Sequence, residues 1–181
     1  MTRVTTGSAK GKSLKLPNIK DIRVPQDVFK LALFSILGDK VEDAFCLDLY
    51  AGSGSLGIEA LSRGAKHCHF VDENKSAQDT ILDNLKNCNL QEKGEFFRDD
   101  SVKFAANAEP GYDIVFLDPF YDTTKHKFLM QNLEEIINDG GVIAFSHGEL
   151  LDIADTIVGT GLEIFTQRKF GSALLTILRK A

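Results

Sequence analysis

The sequence predicts an α/β fold built on a mostly parallel β-sheet with helices on both faces. From residue 44 onward, short apolar runs alternate with longer amphipathic runs, as in successive β-α-β units. The first apolar run leads directly into a glycine-rich turn, and the last two apolar runs have no helical segment between them. One of those last two strands must therefore run antiparallel. Ligands of such sheets bind beyond the carboxyl ends of the strands.

Seven strands and their intervening helices follow from the apolar spacing. The strands are predicted over residues 44–50, 67–72, 95–98, 112–118, 141–146, 162–168 and 174–179, with the last two forming a hairpin. The nearly continuous apolar run at 112–118 indicates burial on both faces. Helices are predicted over residues 55–62, 74–86, a short stretch after Asp100, 128–137 with a stop at Gly140, and 150–158.

The first forty residues differ from the rest of the chain. Residues 3–7 and 13–16 flank a turn rich in Gly and Lys, which predicts a small basic hairpin. A helix is predicted over residues 25–37, with one side formed by Val28, Leu31, Ala32, Ser35 and Ile36. We therefore divide the chain into an N-terminal extension, residues 1–40, and a main domain, residues 41–181.

The composition is typical of a soluble globular protein, with 43% hydrophobic and 26% charged residues. No apolar stretch approaches the roughly 18 residues of a membrane span, and the N-terminus lacks the apolar segment of a cleaved signal. We expect a cytoplasmic monomer. The three cysteines show no CxxC spacing, and the four histidines show no metal-ligand spacing, so no metal is expected.

Basic residues are concentrated at the N-terminus. The whole chain has a formal net charge of −5, yet residues 1–30 contain seven Lys and Arg against two Asp. This segment therefore carries +5 and the remainder −10. The asymmetry favours an arm that contacts a polyanion, although a solvated basic arm has the same composition.

A glycine motif follows the first strand. Gly52, Gly54 and Gly57 form G-x-G-x-x-G between a strand and a helix, which allows a tight turn and close approach of a cofactor. Asp72, at the end of the second strand, is placed to accept hydrogen bonds from the hydroxyls of a ribose. Both a nicotinamide dinucleotide and S-adenosylmethionine fit this pattern. Asp48 favours the latter, because its carboxylate suits an ammonium group and repels a pyrophosphate.

Two further strand ends carry polar residues. The third strand ends in Asp99, Asp100 and Ser101, where a carboxylate could accept from the adenine amino group. The fourth is followed by Asp-Pro-Phe-Tyr at residues 118–121, which places an acceptor, a constrained turn and aromatic rings together. That combination suits a planar base with an exocyclic amine: an aromatic ring stacks on the base, and Asp118 and a main-chain carbonyl accept from the amine.

The sequence resembles the RsmD-type methyltransferases. The resemblance is carried by residues 3–14, 23–37, DLYAGSGSLGIEALSRGA at 48–65, and 118–121. It implies a class I, Rossmann-like methyltransferase fold and methylation by S-adenosyl-L-methionine of a guanine 2-amino group in 16S ribosomal RNA of the small subunit. It further implies that Gly52 and Gly54 line the methionine side of the cofactor.

The resemblance also assigns roles to residues of this chain. The predicted cofactor-binding residues are Asp48, Tyr50, Ala51, Gly52, Ser53, Gly54, Gly57, Asp72 (ribose), Glu73, Asp100 (adenine), Ser101 and Asp118. The predicted catalytic residues are Asp118 as acceptor for the target amine, Pro119, Phe120, and Tyr121 as stacking ring. The predicted RNA contacts are Arg3, Lys10, Lys12, Lys15, Arg23 and Lys30.

The chain departs from the family pattern at three places. Phe120 replaces the usual second proline, so either Phe120 or Tyr121 could stack on the base. One basic residue expected in residues 23–28 is missing, and Ser146 replaces an acidic residue after the fifth strand. Alternative functions are an adenine-N6 methyltransferase, a nicotinamide-dependent oxidoreductase, and a catalytically silent RNA-binding or ribosome-assembly protein.

Overall fold

A computed structural model of the protein describes residues 2–20, 24–119 and 126–180. Its centre is a seven-stranded sheet with the strand order β5-β4-β3-β6-β7-β9-β8. Strands β3, β4, β5, β6 and β7 all run parallel to one another. Strand β9 is antiparallel to both of its neighbours, β7 and β8. The seven strands are β3 (Phe45–Leu49), β4 (His67–Val71), β5 (Gly94–Phe97), β6 (Tyr112–Leu117), β7 (Ile137–Gly148), β8 (Leu162–Phe170) and β9 (Ala173–Lys180).

Within the described residues, a two-stranded hairpin precedes the sheet and six α-helices accompany it. The hairpin pairs β1 (Thr2–Arg3) with β2 (Ser13–Leu14). The helices are α1 (Asp27–Leu37), α2 (Ser55–Ser62), α3 (Lys75–Asn87), α4 (Ser101–Asn107), α5 (His126–Ile136) and α6 (Ile153–Thr156). Short 3-10 helices cover Gly38–Val41 and Gln91–Lys93. The predicted order of strands and helices, including the closing hairpin, is confirmed.

Two predicted helices have different limits in the structure. The helix predicted to reach residue 137 ends at Ile136, and the chain pairs in β7 from Ile137 before the bend at Gly140, whose φ is 73°. The helix predicted over 150–158 shrinks to Ile153–Thr156. The Asp152 side chain accepts from the Asp155 backbone N–H as an N-cap, and this bond starts the helix three residues later than predicted.

Helices cover both faces of the sheet, as predicted. On one face, apolar side chains of α1, α2 and α3 pack against Cys68, Phe70 and Phe116 of the strands. On the other, α4, α5 and α6 pack against a layer that includes Leu47, Leu49 and Val115. Strand β6 contributes buried residues to both layers, which explains its continuous apolar run.

Helix α1 buries a different side from the one predicted. Val28 and Leu31 are 59% and 49% exposed, whereas the aromatic residues Phe29 and Phe34 are buried. Phe34 packs against Phe116 with ring centroids 5.7 Å apart, and Phe29 meets the ring of Phe170 at 5.3 Å. Leu33 and Leu37 are buried on the same side as these rings. Together they bury more apolar area than the predicted side would, and this determines how the helix is rotated.

The N-terminal hairpin is attached to α2 by one buried carboxylate. Glu59 is fully buried and accepts from the Thr5 backbone N–H at 2.9 Å, the Thr5 hydroxyl at 2.6 Å and the Thr6 N–H at 3.1 Å. Arg63 donates to the same carboxylate at 2.9 Å. The hairpin also contributes Val4, Ala9 and Leu14 to the core on this face. The division at residue 40 stays a prediction, but the extension shares a core with the main domain.

Lys30 completes this cluster, and the prediction that it contacts RNA is wrong. Its side chain is 0% exposed, with the ammonium 3.6 Å from the Glu59 carboxylate and donating to the backbone carbonyl of Arg3. Burial lowers the pKa of Lys30, and the charge of Glu59 opposes that shift. The residue is therefore an internal counter-ion that joins α1, α2 and the hairpin.

No helix within the three described ranges has the length and apolar character needed to cross a membrane. All three cysteines are buried and unbonded to one another.

We predict that Glu59→Ala destabilises the protein by about 3–5 kcal/mol, because it leaves the Lys30 ammonium buried without its carboxylate. Urea denaturation followed by circular dichroism measures this loss. Glu135→Ala is the matched control, since Glu135 is an exposed residue of α5 and its loss should change stability by less than about 0.5 kcal/mol. Equal losses in the two variants would contradict the buried ion pair.

Candidate active site

The predicted site residues lie at the carboxyl edge of the sheet. Parallel pairing aligns Leu49 at the end of β3 with Val71 of β4 on one side and with Leu117 of β6 on the other. The loops that follow these three strands therefore emerge side by side. They carry the glycine motif, Asp72 and Asp118 respectively.

The glycine motif forms a tight turn between β3 and α2. Tyr50, Gly52 and Gly54 have φ values of 56°, 54° and 72°, in the left-handed region. Two of the three are glycines, which adopt this conformation without steric cost, whereas Tyr50 carries local strain. Gly57 serves packing: a Cβ there would lie 2.3 Å from the Phe70 ring, so only glycine lets α2 approach β4 this closely.

Asp72 links the glycine turn to the next strand. Its Oδ2 accepts from the Gly52 backbone N–H and its Oδ1 from the Asn74 N–H, both at 2.9 Å. The turn is held from a second side, because the Ala51 N–H donates to the carbonyl of Val71 at 3.1 Å. These bonds place the half-buried carboxylate of Asp72 directly beside the turn. Its predicted contact with the ribose stays a prediction.

Asp48 lies beneath the turn and is 3% exposed. Its Oδ2 accepts from the Gly57 backbone N–H at 2.9 Å, so it orients the start of α2. Burial raises the pKa of Asp48 well above its ordinary value of 3.8, and the nearby charges of Asp118 and Asp72 raise it further. Three strand-end carboxylates therefore converge on one place. Such a cluster is unfavourable by itself and is suited to a cationic ligand.

Asp100 and Ser101 support the loop on the other side of Tyr50. Asp100 is the N-cap of α4 and accepts from the Val102 N–H at 3.0 Å, while the Ser101 hydroxyl accepts from the Tyr50 N–H at 3.2 Å. Burial raises the pKa of the Tyr50 hydroxyl to about 12, with contributions from Asp100 and the exposed Glu73. These side chains therefore lie around Tyr50, next to the glycine turn. The proposed contact of Asp100 with adenine is untested.

Asn84 is a positioning residue that was not predicted from the sequence. Its side chain amide donates to the carbonyls of Ser53 and Lys15, both at 3.0 Å, and its Oδ1 accepts from the Lys15 N–H at 2.8 Å. It thus ties α3 to the glycine turn and to the N-terminal segment. The sequence does carry a signal for it: Asn84 is a polar residue on the same face of α3 as the buried Ile81 and Leu85.

Asp118 lines a cleft at the carboxyl edge of the sheet. A cleft of about 450 Å³ lies between the N-terminus of α1, the ends of β6 and β7, and the turn joining β8 to β9. Its lining includes Asp118, Ser146, Gln26, and the contacting rings of Phe29 and Phe170. Asp118 is half-buried, and Pro119 after it is buried. Asp118 thus lies between the carboxylate cluster and a cleft large enough for a nucleobase.

The family model described as "Conserved hypothetical protein 95" matches residues 2–179. The chain is 38% identical over 160 residues to "Putative rRNA methyltransferase YlbH" of Bacillus subtilis (strain 168), an alignment that covers 86% of this chain and 87% of that protein. This chain belongs to that family.

Another relative carries the family name predicted from the motifs. The chain is 28% identical over 160 residues to "Ribosomal RNA small subunit methyltransferase D" of Escherichia coli (strain K12), covering 88% of this chain and 77% of that protein. The predicted RsmD-type family is therefore confirmed.

The fold of the RsmD-type chain is confirmed as well. A solved structure described as "Putative methyltransferase yhhF from Escherichia coli" superposes with a TM-score of 0.86 at 23% identity, over 99% of this chain and 97% of the other. The seven-stranded sheet with one antiparallel strand near its edge is the architecture that the motif resemblance implied.

The predicted RNA contacts of this family member separate into groups. Lys10 and Lys12 are exposed on the hairpin turn. Arg3 and Lys15 are also exposed but form surface ion pairs, Arg3 with Asp27 at 2.8 Å and Lys15 with an acidic residue of α3 at 2.7 Å. Such pairs contribute little stability and are readily exchanged for phosphates. The remaining predictions, for Arg23, Phe120 and Tyr121, fall outside the described residues.

We predict that Asp48→Asn flattens the pH dependence of stability. The raised pKa means that the folded state binds a proton that the unfolded state does not, between the raised pKa of Asp48 and its ordinary value of 3.8. As the pH falls through this window, the wild type gains stability relative to the variant by up to about 1.4 kcal/mol per pH unit. The asparagine amide oxygen can still accept from the Gly57 N–H.

Urea denaturation at a series of pH values, without added ligand, measures the difference. Asp139→Asn is the control, since Asp139 is 89% exposed, and it should keep the pH dependence of the wild type. Parallel pH profiles for wild type and Asp48→Asn would show that the pKa of Asp48 is the same in the folded and unfolded states and would contradict its raised pKa.

Proposed function

We propose that this protein transfers a methyl group from S-adenosyl-L-methionine to the exocyclic N2 of a guanine in small-subunit (16S) ribosomal RNA. The observation that carries the proposal is the position of Asp118. This residue belongs to the carboxylate cluster beside the glycine turn and also lines the cleft bounded by α1 and the β8-β9 turn. A group in that position can act on a substrate in the cleft while a cofactor occupies the turn.

The residues at the turn suit this cofactor. S-adenosyl-L-methionine carries a positively charged sulfur and an ammonium group, and Asp48, Asp72 and Asp118 provide a concentration of negative charge. A pyrophosphate would be repelled by the same carboxylates, so the site disfavours a nicotinamide dinucleotide. Asp48 orients the turn because its Oδ2 accepts from the Gly57 N–H, and a bound cation favours the ionised form of Asp48 against its raised pKa. Asp72 and the turn backbone are the groups beside which the cofactor would lie.

When bound, the cofactor supplies a methyl group that is activated by the positive charge on its sulfur. Asp118 accepts a hydrogen bond from the exocyclic amine of the base, which favours the pyramidal nitrogen geometry and frees its lone pair for attack. It accepts the amine proton late in the reaction or passes it to water. Phe29 and Phe170 shield the cleft, and Pro119 restricts the backbone beside Asp118. Most of the acceleration comes from this positioning.

The N-terminal hairpin is the proposed RNA-binding surface. It is fixed to α2 by Glu59 and to α3 by Asn84, so its exposed lysines keep a constant position relative to the glycine turn. Lys10 and Lys12 would contact phosphates, which position the RNA without reading its sequence. The target base has to be unpaired or rotated out of its stack to reach the cleft. We propose that the protein acts as a cytoplasmic monomer.

We predict that Asp118→Ala lowers the rate of methyl transfer by about 100-fold or more, while binding of S-adenosyl-L-methionine changes much less. Transfer of tritiated methyl groups to unmodified small-subunit RNA, free and in assembled particles, measures the rate. Isothermal titration measures cofactor binding. Asp139→Ala is the control, because its exposed carboxylate lies outside the cleft.

Mapping the labelled nucleotide separates the proposal from its alternatives. Label on adenine would indicate an adenine-N6 methyltransferase, and RNA binding without label on any substrate would indicate a silent RNA-binding protein. Full activity of Asp118→Ala would remove Asp118 from the mechanism.

We predict that the double variant Lys10→Ala, Lys12→Ala binds RNA more weakly and with a smaller salt dependence, because about two phosphate contacts are lost. Fluorescence anisotropy with labelled RNA at several salt concentrations measures both quantities. Lys40→Ala with Lys93→Ala removes the same charge from exposed positions outside the hairpin. Similar weakening by both double variants would indicate a general charge effect and not a binding surface.

A further inference from the structure

A second cluster of side chains lies near the amino ends of strands β4 and β5, away from the glycine turn. It consists of His67, His69 and Glu95, whose potential ligand atoms all lie within 4.8 Å of one another. None of these residues takes part in the proposed methyl transfer. Both histidines are half-buried and Glu95 is exposed.

The β-sheet brings these residues together. His67 and His69 are two positions apart on β4, so their side chains extend from the same face of the sheet, and their ring centroids are 5.3 Å apart. Glu95 is the direct partner of His69 in the parallel pairing of β4 with β5. Its Oε2 lies 3.6 Å from His69 Nε2.

His69 is oriented by a neighbour on the central strand. Its Nδ1 lies 2.8 Å from the hydroxyl of Tyr112, which is at the start of β6. In the tautomer that carries its proton on Nδ1, directed at the Tyr112 oxygen, the lone pair of Nε2 is on the side of Glu95.

We propose that His67, His69 and Glu95 form a binding site for a divalent transition-metal ion, with Zn²⁺ as the ligand that their chemistry fits best. Two imidazole nitrogens and one carboxylate are a ligand set used by zinc, with water at the fourth position. The Tyr112 hydroxyl supplies the outer hydrogen bond that typically orients a ligating histidine.

The geometry allows such a site with small side-chain movements. Zinc binds nitrogen and oxygen at about 2.0–2.2 Å, so its ligand atoms lie closer together than 4.8 Å. Glu95 can close the difference, because its side chain is exposed and can change rotamer while the His69 ring is held by its contacts with Tyr112 and Phe97. Its exposure also leaves a path for the ion to enter.

The metal would stabilise the edge of the sheet. In the described part of the chain, β5 pairs only with β4 and is four residues long. An ion held by two residues of β4 and one of β5 would cross-link this edge strand to the interior. Asp72 is three residues beyond His69, about 10 Å along the strand, so the ion would not reach the proposed methyl-transfer site.

The experiment titrates Zn²⁺ into the full chain, previously treated with a chelator, and measures heat by calorimetry and the melting temperature by circular dichroism. We expect one Zn²⁺ per chain and an increase in melting temperature. His67→Gln, His69→Gln and Glu95→Gln should each weaken binding by more than 10-fold, and Tyr112→Phe by about 10-fold through the outer hydrogen bond. Glu92→Gln is the matched control for Glu95→Gln, being an exposed charge just before β5.

Substitution with Co²⁺ gives an independent signature, because visible absorption reports the coordination of this ion. The expected result is a visible band in the wild type and Glu92→Gln that is lost in His69→Gln. Absence of Zn²⁺ binding would overturn the proposal, and so would binding that is unaffected by the histidine and Glu95 substitutions. Methyl transfer should be unchanged in Glu95→Gln, which keeps this outcome separate from the proposed function.

Discussion

Two hydrogen bonds between strand-end carboxylates and backbone N–H groups hold the functional centre of this protein together. Asp72 accepts from Gly52 within the glycine turn, and Asp48 accepts from Gly57 in the first turn of α2. They fix the turn relative to β4 and β3, the strands from which these carboxylates come. Because the turn also sets where α2 begins, the same bonds determine where the N-terminal hairpin docks. The same two hydrogen bonds therefore position both the glycine turn and the proposed RNA-binding surface.

The carboxyl groups of Asp48, Asp72 and Asp118 lie together beside the glycine turn, where we propose that a cationic cofactor binds. Burial of Asp48 raises its pKa, and repulsion from the neighbouring carboxylates of Asp118 and Asp72 raises it further. A ligand that carries positive charge relieves the repulsion and gains affinity in proportion. Residues 1–30 hold an excess of basic over acidic residues and carry +5 against −10 for the remainder of the chain. The net charge of −5 is thus the sum of the positive charge of residues 1–30 and the negative charge of the remaining residues.

Buried polar side chains connect these regions. Glu59 binds the hairpin backbone and pairs with Lys30, while Asn84 joins the hairpin segment to the glycine turn. Each of these groups would be unfavourable in the interior without its partners. The hydrogen bonds and the ion pair that these groups form therefore specify one docking geometry for the N-terminal extension. The hairpin is packed against α2 and α3 and is not a tethered tail.

The sequence by itself determined the order of strands and helices, because apolar periodicity and glycine turns are local signals. It also determined that Asp48, Asp72 and Asp118 lie at or near the carboxyl ends of strands, which places them at one edge of any parallel sheet. Tertiary structure alone decided that Lys30 is an internal counter-ion, that α1 buries Phe29 and its neighbours, and that Glu95 meets two histidines. Those outcomes depend on contacts between distant segments. A side chain's partners across the core cannot be read from the residues beside it.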